Sequence, residues 1–354
     1  MATFRPGLRE REFAEAGMKT RSPWIAALFA AAIMIISAAC SSASGAVPAA
    51  AGPAPEEPDI TVAAIPAVDL AGLYIAQDRG LFARQGLHVR IEPIPSAQSV
   101  IADQLKGKVD ISAGSYVAYI AAEAAGARFR ILAQASILAP NTRSLIVTAQ
   151  SRVTTIAALA GQKIGVNGVN SIGTLLISAL LSAHGISPAR VRFVTEPGGF
   201  PALPGKLQAG EWAAAFLAEP YITAAGQQYG DQVLADLDQG AVINLPVDGY
   251  VATGAWVQQH PTMAAAFVRA IEQGQVIANH DPSAVQAIVA QNDKLPPRVT
   301  AAMALPATYP VGPVVQANIQ RVASAMLEFG VLGRPYAAEV RQGTLVQSMI
   351  GPGS

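Results

Sequence analysis

Short apolar runs alternate with amphipathic helical patterns along most of this chain, and this alternation is the strongest constraint on its fold. Residues 60–65, 87–94 and 109–113 have the length and composition of buried strands. Helical patterns at 70–85 and 98–105 separate these three runs. Because a strand–helix–strand order is typical of parallel sheets covered by helices, the sequence predicts an α/β protein.

The same alternation begins again after Pro140 interrupts an apolar run. Strand-like runs follow at 145–148, 163–166, 191–194 and 213–217, with helical patterns at 172–184, 203–209 and 221–229, whereas the helical pattern at 116–125 still belongs to the first series. A strand pattern at 250–257 leads into helical patterns at 262–279, 283–291 and 314–329. A chain of 354 residues is long enough for two separate cores.

These two series predict two doubly wound lobes joined by a hinge. The first lobe is expected to contain residues 59–139 plus 253–354, and the second lobe residues 140–252. The chain would then cross between the lobes twice, near 139–143 and near 247–253.

The N-terminal 40 residues have the order of a bacterial export signal. Lys19 and Arg21 precede an uncharged apolar run at 24–36, and small residues lead up to Cys40. Thirteen apolar residues are too few for a helix that spans a bilayer, which needs about 20. We therefore predict a signal peptide at 1–40, with translation starting at Met1 or at Met18.

Cys40 stands where a bacterial lipobox places its lipid-modified cysteine, although Ser37 occupies the usual leucine position. The prediction is lipidation of Cys40, with ordinary signal-peptidase cleavage nearby as the alternative. Residues 41–58 are small, rich in proline and without hydrophobic periodicity, which indicates a flexible tether. The protein is therefore expected to be exported and held by a lipid anchor on the outer face of the membrane, or to be periplasmic.

The composition excludes several functional classes. Lys plus Arg and Asp plus Glu both number 24, so no strong overall field favours nucleic acid. One cysteine excludes an internal disulfide, and the four histidines lack metal-ligand spacing. The sequence lacks the G-x-S-x-G and H-E-x-x-H motifs of common hydrolases. We predict a monomer that is not an enzyme, with no cofactor, no metal and no nucleic-acid partner.

Polar loops follow three of the predicted strands, and ligands of open α/β sheets gather beyond the carboxyl ends of strands. Ser171 is a good N-cap, and the helix start that follows it has free N–H groups for an anion or a polar oxygen, with capping alone as the alternative. The candidate ligand-binding residues in these loops are Pro66, Ala67, Asp69, Gly114, Ser115, Tyr116, Asn167, Ser171, Ile172, Gly173 and Thr174.

Three charged residues complete the candidate site. Arg143 and Asp248 lie at the predicted crossings, and hinge residues often line the floor of a cleft. Arg143 suits a sulfonate, phosphate or carboxylate, with a structural salt bridge as the alternative. Glu219 ends a strand and suits a cationic or hydrogen-bond-donating group, with a helix-start role as the alternative.

Residues 65–82, IPAVDLAGLYIAQDRGLF, followed by Gly86-Leu87-His88-Val89, resemble the opening of a known family. This is the family of nitrate/sulfonate/taurine and thiamine-pyrimidine (NMT1/THI5-like) substrate-binding proteins of ABC importers. The resemblance continues in order through 105–110, 159–166, 210–212 and 219–221. It implies a type II periplasmic-binding fold that closes on its ligand and delivers it to permease subunits. It also places ligand-lining loops at 66–69, 114–115, 167–174 and Glu219.

The expected function is therefore capture of a small molecule for an ABC importer. The alternative is an enzyme on the same fold, similar to pyrimidine synthases or chorismate dehydratases. The sequence leaves two classes of ligand open. An anion would use Arg143 and the helix start at Ser171, whereas an aromatic or pyrimidine ligand would use Tyr74, Tyr116, Tyr221 and Glu219.

Overall fold

A computed structural model describes residues 58–333 and the short strand at 347–348. The predicted signal peptide, the Cys40 lipidation site and the tether except for Pro58 lie outside the described residues. All described residues belong to one compact unit, 51–354. Among them, no helix has the length and hydropathy needed to cross a membrane.

Eleven strands occur in the described part of the chain, and they form two sheets. In chain order they are β1 (Asp59–Ala64), β2 (His88–Pro93), β3 (Ile111–Ser115), β4 (Phe129–Ile137), β5 (Arg143–Val147), β6 (Lys163–Val166), β7 (Arg192–Thr195), β8 (Ala214–Ala218), β9 (Gln232–Asp236), β10 (Pro246–Thr253) and β11 (Gln347–Ser348). The six-stranded sheet has the order β11-β4-β10-β3-β1-β2, and the five-stranded sheet has the order β7-β6-β8-β5-β9.

Twelve α-helices accompany these strands in the same part of the chain. They are α1 (Ala71–Asp78), α2 (Leu81–Arg84), α3 (Ala97–Leu105), α4 (Tyr116–Ala124), α5 (Ile172–Ala183), α6 (Leu203–Gln208), α7 (Tyr221–Tyr229), α8 (Gly254–Gln259), α9 (Pro261–His280), α10 (Pro282–Asn292), α11 (Pro297–Ala302) and α12 (Gln316–Glu328). The predicted α/β class is confirmed.

Both sheets are mixed, whereas the alternation of strands and helices predicted parallel sheets. β1 runs parallel to β2 and β3, but β10 is antiparallel to its neighbours β3 and β4. β6 runs parallel to β7 and β8, but β5 is antiparallel to β8 and β9. The reversed strands β5 and β10 are the first ones after each passage between the sheets, and a buried apolar run does not encode its direction.

The passages between the sheets lie close to the predicted crossings. The first is the segment 138–142, between β4 and β5. The second is the segment 237–245, which lies before the predicted 247–253 because β10 already pairs with β4 from Pro246. The division into lobes at residues 139 and 252 stays a prediction.

Two local differences from the predicted elements have simple causes. The predicted helix at 70–85 is two helices, α1 and α2, because Gly80 adopts a left-handed conformation with φ of 64°. The predicted strand at 250–257 ends at Thr253, whose Oγ1 accepts a 3.1 Å hydrogen bond from the Trp256 amide and caps α8. The helix α11 was not predicted.

Tight packing between α1 and α9 fixes the helical layer on the six-stranded sheet. A Cβ added to Gly72 would lie 2.8 Å from Gln275 Cγ, so the two helices meet at this glycine. Phe82 and Phe267 stack nearby with ring centroids 5.4 Å apart. This layer holds the loop that follows β1, where candidate site residues lie.

Three contacts join the loops at the strand ends of the two sheets. The Val68 amide donates a 3.2 Å hydrogen bond to the Glu219 carbonyl oxygen. Gln98 Nε2 donates a 2.7 Å hydrogen bond to the Asn170 carbonyl oxygen. The Arg143 guanidinium at the start of β5 reaches Asp69 beyond β1. The carboxyl ends of β1 and β2 therefore face the loops that follow β6 and β8.

Candidate ligand-binding cleft

A small cavity, here called the inner cavity, lies where the loops of the two sheets meet. Its volume is about 20 Å³, which is room for one water molecule. Seven residues proposed from the sequence line it: Ala67, Ser115, Arg143, Asn167, Ser171, Ile172 and Asp248. The loops after β1, β3 and β6 thus converge with both hinge residues, as their positions at strand ends indicated.

Sequence reasoning missed five further residues around the inner cavity. They are Ile65, Leu70, Ala97, Gln98 and Phe200. Ala97 and Gln98 begin α3 after β2, so the strand-end argument applied to β2 would have found them. Phe200 lies in an irregular segment before α6 and carries no comparable signal.

Gly114, Gly173 and Tyr116, also proposed from the sequence, do not line the inner cavity but pack in the structure around it. A Cβ on Gly114 would lie 3.0 Å from both Ala97 Cβ and Ile65 Cδ1, so this position has no space for a side chain. A Cβ on Gly173 would collide with the Phe216 ring. The ring of Tyr116 is fully buried and packs against Gly249 of β10.

Arg143 forms a buried ion-pair triad with two carboxylates. Its Nη1 donates to Asp69 Oδ1 and its Nη2 to Asp248 Oδ2, both at 2.9 Å. All three side chains are less than 8% exposed. The salt-bridge alternative for Arg143 is therefore the observed one, although the same residue still lines the cavity.

The triad carries one formal negative charge when both carboxylates are ionised. Burial lowers the pKa of Arg143, but the charges of Asp69 and Asp248 outweigh that effect and raise it. Burial raises the pKa of Asp248 to about 7, against the opposing effect of Arg143. A proton on Asp248 makes this buried group neutral, and its loss leaves one negative charge.

Four buried polar atoms of the cavity wall and the triad have no hydrogen-bond partner among the described residues. They are Asn167 Oδ1, Ser171 Oγ, Arg143 Nε and Asp69 Oδ2. Ser171 and Thr174 form a capping box at the start of α5: Thr174 Oγ1 accepts a 3.0 Å hydrogen bond from the Ser171 amide, while the Ser171 hydroxyl faces the Thr174 amide without a full hydrogen bond. Because buried polar groups are nearly always paired, this cluster indicates a place for water or a polar ligand.

Glu219 lies outside the lining of the inner cavity. Its carboxylate accepts hydrogen bonds from the Thr223 amide at 3.1 Å, the Thr223 hydroxyl at 2.7 Å and the Ala304 amide at 3.2 Å. Burial raises its pKa, while these hydrogen bonds act in the opposite direction. Glu219 thus holds the first turn of α7 against the segment after α11. This structural role is similar to the helix-start role that was the alternative to ligand binding.

A larger cavity, here called the outer pocket, lies between α1, the carboxyl end of β2 and α10. Its volume is about 390 Å³, within the range of small-molecule sites. Pro66, proposed from the sequence, lines it together with Tyr74 and Asp293. Burial raises the pKa of Asp293 to about 7.

An aromatic pair lies between the residues of the two cavities. Phe200 lines the inner cavity and stacks on Tyr221 with ring centroids 6.1 Å apart. Burial raises the pKa of Tyr221, and the charge of Asp293 and the neighbouring Tyr74 add to this effect. Pro66 lines the outer pocket and the next residue, Ala67, lines the inner cavity, so the two cavities adjoin along the loop after β1 and together form the candidate cleft.

Within the described residues, no group of three His, Cys, Asp or Glu side chains is arranged to hold a metal ion. Of the charged groups at the two cavities, Arg143 pairs with Asp69 and Asp248, Asp78 of the outer pocket pairs with Arg79 at 3.6 Å, and Asp293 remains single. The arrangement is suited to binding a polar molecule through hydrogen bonds.

Comparison with known proteins gives the family and the fold of this chain. A family model described as NMT1/THI5 like matches residues 67–285. The 4-amino-5-hydroxymethyl-2-methylpyrimidine phosphate synthase THI13 of Saccharomyces cerevisiae is 25% identical over 221 residues, which are 59% of this chain and 63% of the yeast protein. The match therefore spans less than two thirds of the yeast protein.

Solved structures show the same fold at low identity. The alkanesulfonate-binding protein SsuA from Xanthomonas axonopodis pv. citri bound to MOPS superposes with a TM-score of 0.67 and 17% identity, over 78% of this chain and 95% of that one. The periplasmic nitrate-binding protein NrtA from Synechocystis PCC 6803 gives a TM-score of 0.67 and 14% identity, over 79% and 83%. The chain has the periplasmic-binding-protein fold expected from its sequence, and it belongs to the NMT1/THI5-like family.

Proposed function

We propose that this protein is the solute-binding component of an ABC importer. It captures a small molecule between lobes formed by residues 59–139 plus 253–354 and by 140–252, and delivers it to permease subunits. The observation that carries the proposal is the cluster of unpaired, buried polar atoms where the loops of the two sheets meet. Binding proteins with the same fold, SsuA and NrtA, support it.

The proposal includes export and a membrane anchor. The signal-like segment 1–40 takes the chain out of the cytoplasm, and lipidation of Cys40 holds it on the outer face of the membrane. The tether at 41–58 gives the folded part reach toward the permease. Radiolabelled palmitate should enter the wild-type protein and not Cys40→Ser, whereas equal labelling of both would exclude this anchor.

The experiment that tests the importer role combines binding with uptake. A solute that raises the Tm of the purified protein should enter cells that carry the gene, and uptake should fall when the gene is deleted. Complementation with the wild-type gene should restore uptake. Unchanged uptake of every binding solute in the deletion strain would contradict the proposal.

The second candidate function is an enzyme on the same fold, because the yeast relative THI13 is a pyrimidine phosphate synthase. Mass spectrometry of a binding solute before and after incubation with the protein separates the two functions. A binding protein returns the solute unchanged. Conversion of the solute by the protein would favour the enzyme and remove the importer proposal.

A further inference from the structure

The positive charge of Arg143 is already neutralised by the protein itself. Two buried carboxylates, Asp69 and Asp248, each accept one of its hydrogen bonds at 2.9 Å. An anionic ligand at the inner cavity would therefore meet a group whose summed charge is zero or negative. Burying an anion without a compensating cation costs several kcal/mol, so this site disfavours sulfonate, nitrate and carboxylate groups.

Neither cavity offers another cation. Among the described residues that line the inner cavity and the outer pocket, Arg143 is the only Lys, Arg or His. The remaining polar lining of the inner cavity consists mainly of neutral groups, including the Asn167 amide and the Ser171 hydroxyl, both with a buried unpaired oxygen. These groups suit an uncharged hydrogen-bonding ligand.

The outer pocket adds a carboxylate with no counter-charge. The Asp293 side chain is partly buried, and no described residue donates a hydrogen bond to it or forms an ion pair with it. The ring of Tyr74 lines the same pocket, and Pro66, Ile91 and Ile288 supply apolar walls. A carboxylate beside an aromatic ring in a partly apolar pocket is suited to an amine or a planar amidine, which combines charge pairing with ring contact.

We propose that the outer pocket binds an amine or amidine group of the ligand through Asp293 and Tyr74, so that the cleft selects neutral or cationic molecules and rejects anions. This inference rests on the proposed solute-binding function and specifies its ligand class. The N–H-bearing end of the ligand pairs with Asp293, and its apolar part lies against Pro66, Ile91 and Ile288.

Three molecules of nearly the same shape and different charge test the proposal. Benzamidine is a cation at neutral pH, benzamide is neutral and benzoate is an anion, and nitrate and propane-1-sulfonate extend the anion series. In thermal-shift and calorimetric titrations of the mature protein at millimolar concentrations, benzamidine should raise the Tm most and benzamide less. Benzoate, nitrate and propane-1-sulfonate should leave the Tm unchanged.

Two variants test whether benzamidine binds at Asp293. Asp293→Asn should weaken benzamidine binding about tenfold, because the charge pair is lost while the shape of the side chain is kept. Asp59→Asn removes an exposed carboxylate at the amino end of β1, away from the cleft, and should bind benzamidine as the wild type does. Equal benzamidine affinity in Asp293→Asn and wild type would overturn the proposal.

Different experimental results would contradict the proposed ligand class and the proposed importer role. Stabilisation by an anion, or no stabilisation by benzamidine and benzamide, would overturn the ligand class and leave the importer role intact. Turnover of a bound solute, or unchanged uptake in the deletion strain, would remove the importer role without changing the charge preference of the cleft.

Discussion

The inner cavity and the outer pocket belong to one cleft but treat charge in opposite ways. At the inner cavity, the Arg143 guanidinium pairs with the carboxylates of Asp69 and Asp248, although Arg143 Nε and Asp69 Oδ2 have no partner among the described residues. In the outer pocket, Asp293 has no partner among the described residues. The inner cavity has room for one water, whereas the outer pocket holds about 390 Å³.

This difference gives the charged residues of the cleft two distinct roles, one in stability and one in binding. A paired, fully buried ion triad fixes the relative position of the elements that carry it. A partly buried, unpaired carboxylate is costly for the fold and gains a partner only when something binds. We therefore expect the triad to determine stability, and Asp293 to determine binding at some expense of stability.

The largest expected effect comes from breaking the triad. Arg143→Met leaves the carboxylates of Asp69 and Asp248 buried without a cation, and we expect the free energy of unfolding at pH 7 to fall by about 3–5 kcal/mol. Urea unfolding followed by circular dichroism measures this. Adding Asp248→Asn to Arg143→Met should recover part of the loss, because one uncompensated charge is removed.

Arg192→Met is the matched control, since Arg192 is exposed on β7 and its substitution should change stability by less than about 0.5 kcal/mol. An Arg143→Met variant as stable as this control would mean that the triad does not stabilise the fold. The contrast between the two cavities would then disappear.

A smaller effect of opposite sign is expected at Asp293. Burial raises its folded-state pKa to about 7, so between about pH 4 and pH 7 the unfolded chain releases this proton more readily than the folded protein does. The Asp293 contribution therefore makes the fold less stable as pH rises through that window. Asp293→Asn should be more stable than wild type by about 1–2 kcal/mol at pH 8, less than the full pKa shift implies because the side chain is partly exposed, and equal to it at pH 4.

Urea unfolding across this pH range checks the expectation at Asp293, with Glu328→Gln, at an exposed position of α12, as the control for the loss of one negative charge. A gain in stability that is the same at pH 4 and pH 8 would show that the effect does not come from ionisation of Asp293.

The smallest effect on the fold is expected at Ser171. Its hydroxyl completes the capping box of α5 but makes no full hydrogen bond with a described residue, so Ser171→Ala should lower the free energy of unfolding by less than about 1 kcal/mol. Loss of one hydrogen bond to a bound ligand should weaken binding about three- to tenfold. Calorimetry with a solute that raises the Tm of the protein, together with urea unfolding, separates the two quantities.

Thr174→Ala is the contrasting variant in the same helix turn. Thr174 Oγ1 accepts a hydrogen bond from the Ser171 amide, so its loss should cost about 1 kcal/mol of stability. If Ser171→Ala proves the more destabilising of the two, the Ser171 hydroxyl serves the fold and not the ligand.

Much of the fold could be predicted from the sequence, because the hydrophobic periodicity and the turn-forming glycine and proline residues indicate the same elements over long stretches. The predicted ranges 163–166 and 221–229 coincide with β6 and α7. The direction of a strand does not follow from the sequence. β5 and β10 are buried on both faces, and such a strand has the same apolar pattern whether it runs parallel or antiparallel to its neighbours. The break at Gly80 was hidden because the apolar pattern continues across it.

The site was predictable where it depends on strand ends and not where it depends on distant pairing. Asn167 and Ser171 follow β6 directly, so their position at the cleft could be read from local order. Arg143 finds its partners 74 and 105 residues away, and no local pattern specifies such pairs. Asp293 follows a helix and lacks any strand-end signal, and only the packing of α10 against α1 brings it to the cleft.

The central place of β10 has a consequence for how the chain matures. β10 fills the gap between β3 and β4, so that Gly249 pairs with Gly114 on one side and Gln134 on the other. A chain threaded or synthesised from its amino end therefore carries unpaired edges on β3 and β4 until every residue of the five-stranded sheet has followed. Any product truncated before Pro246 keeps these open edges, and it is the form of this protein that we expect to aggregate most readily.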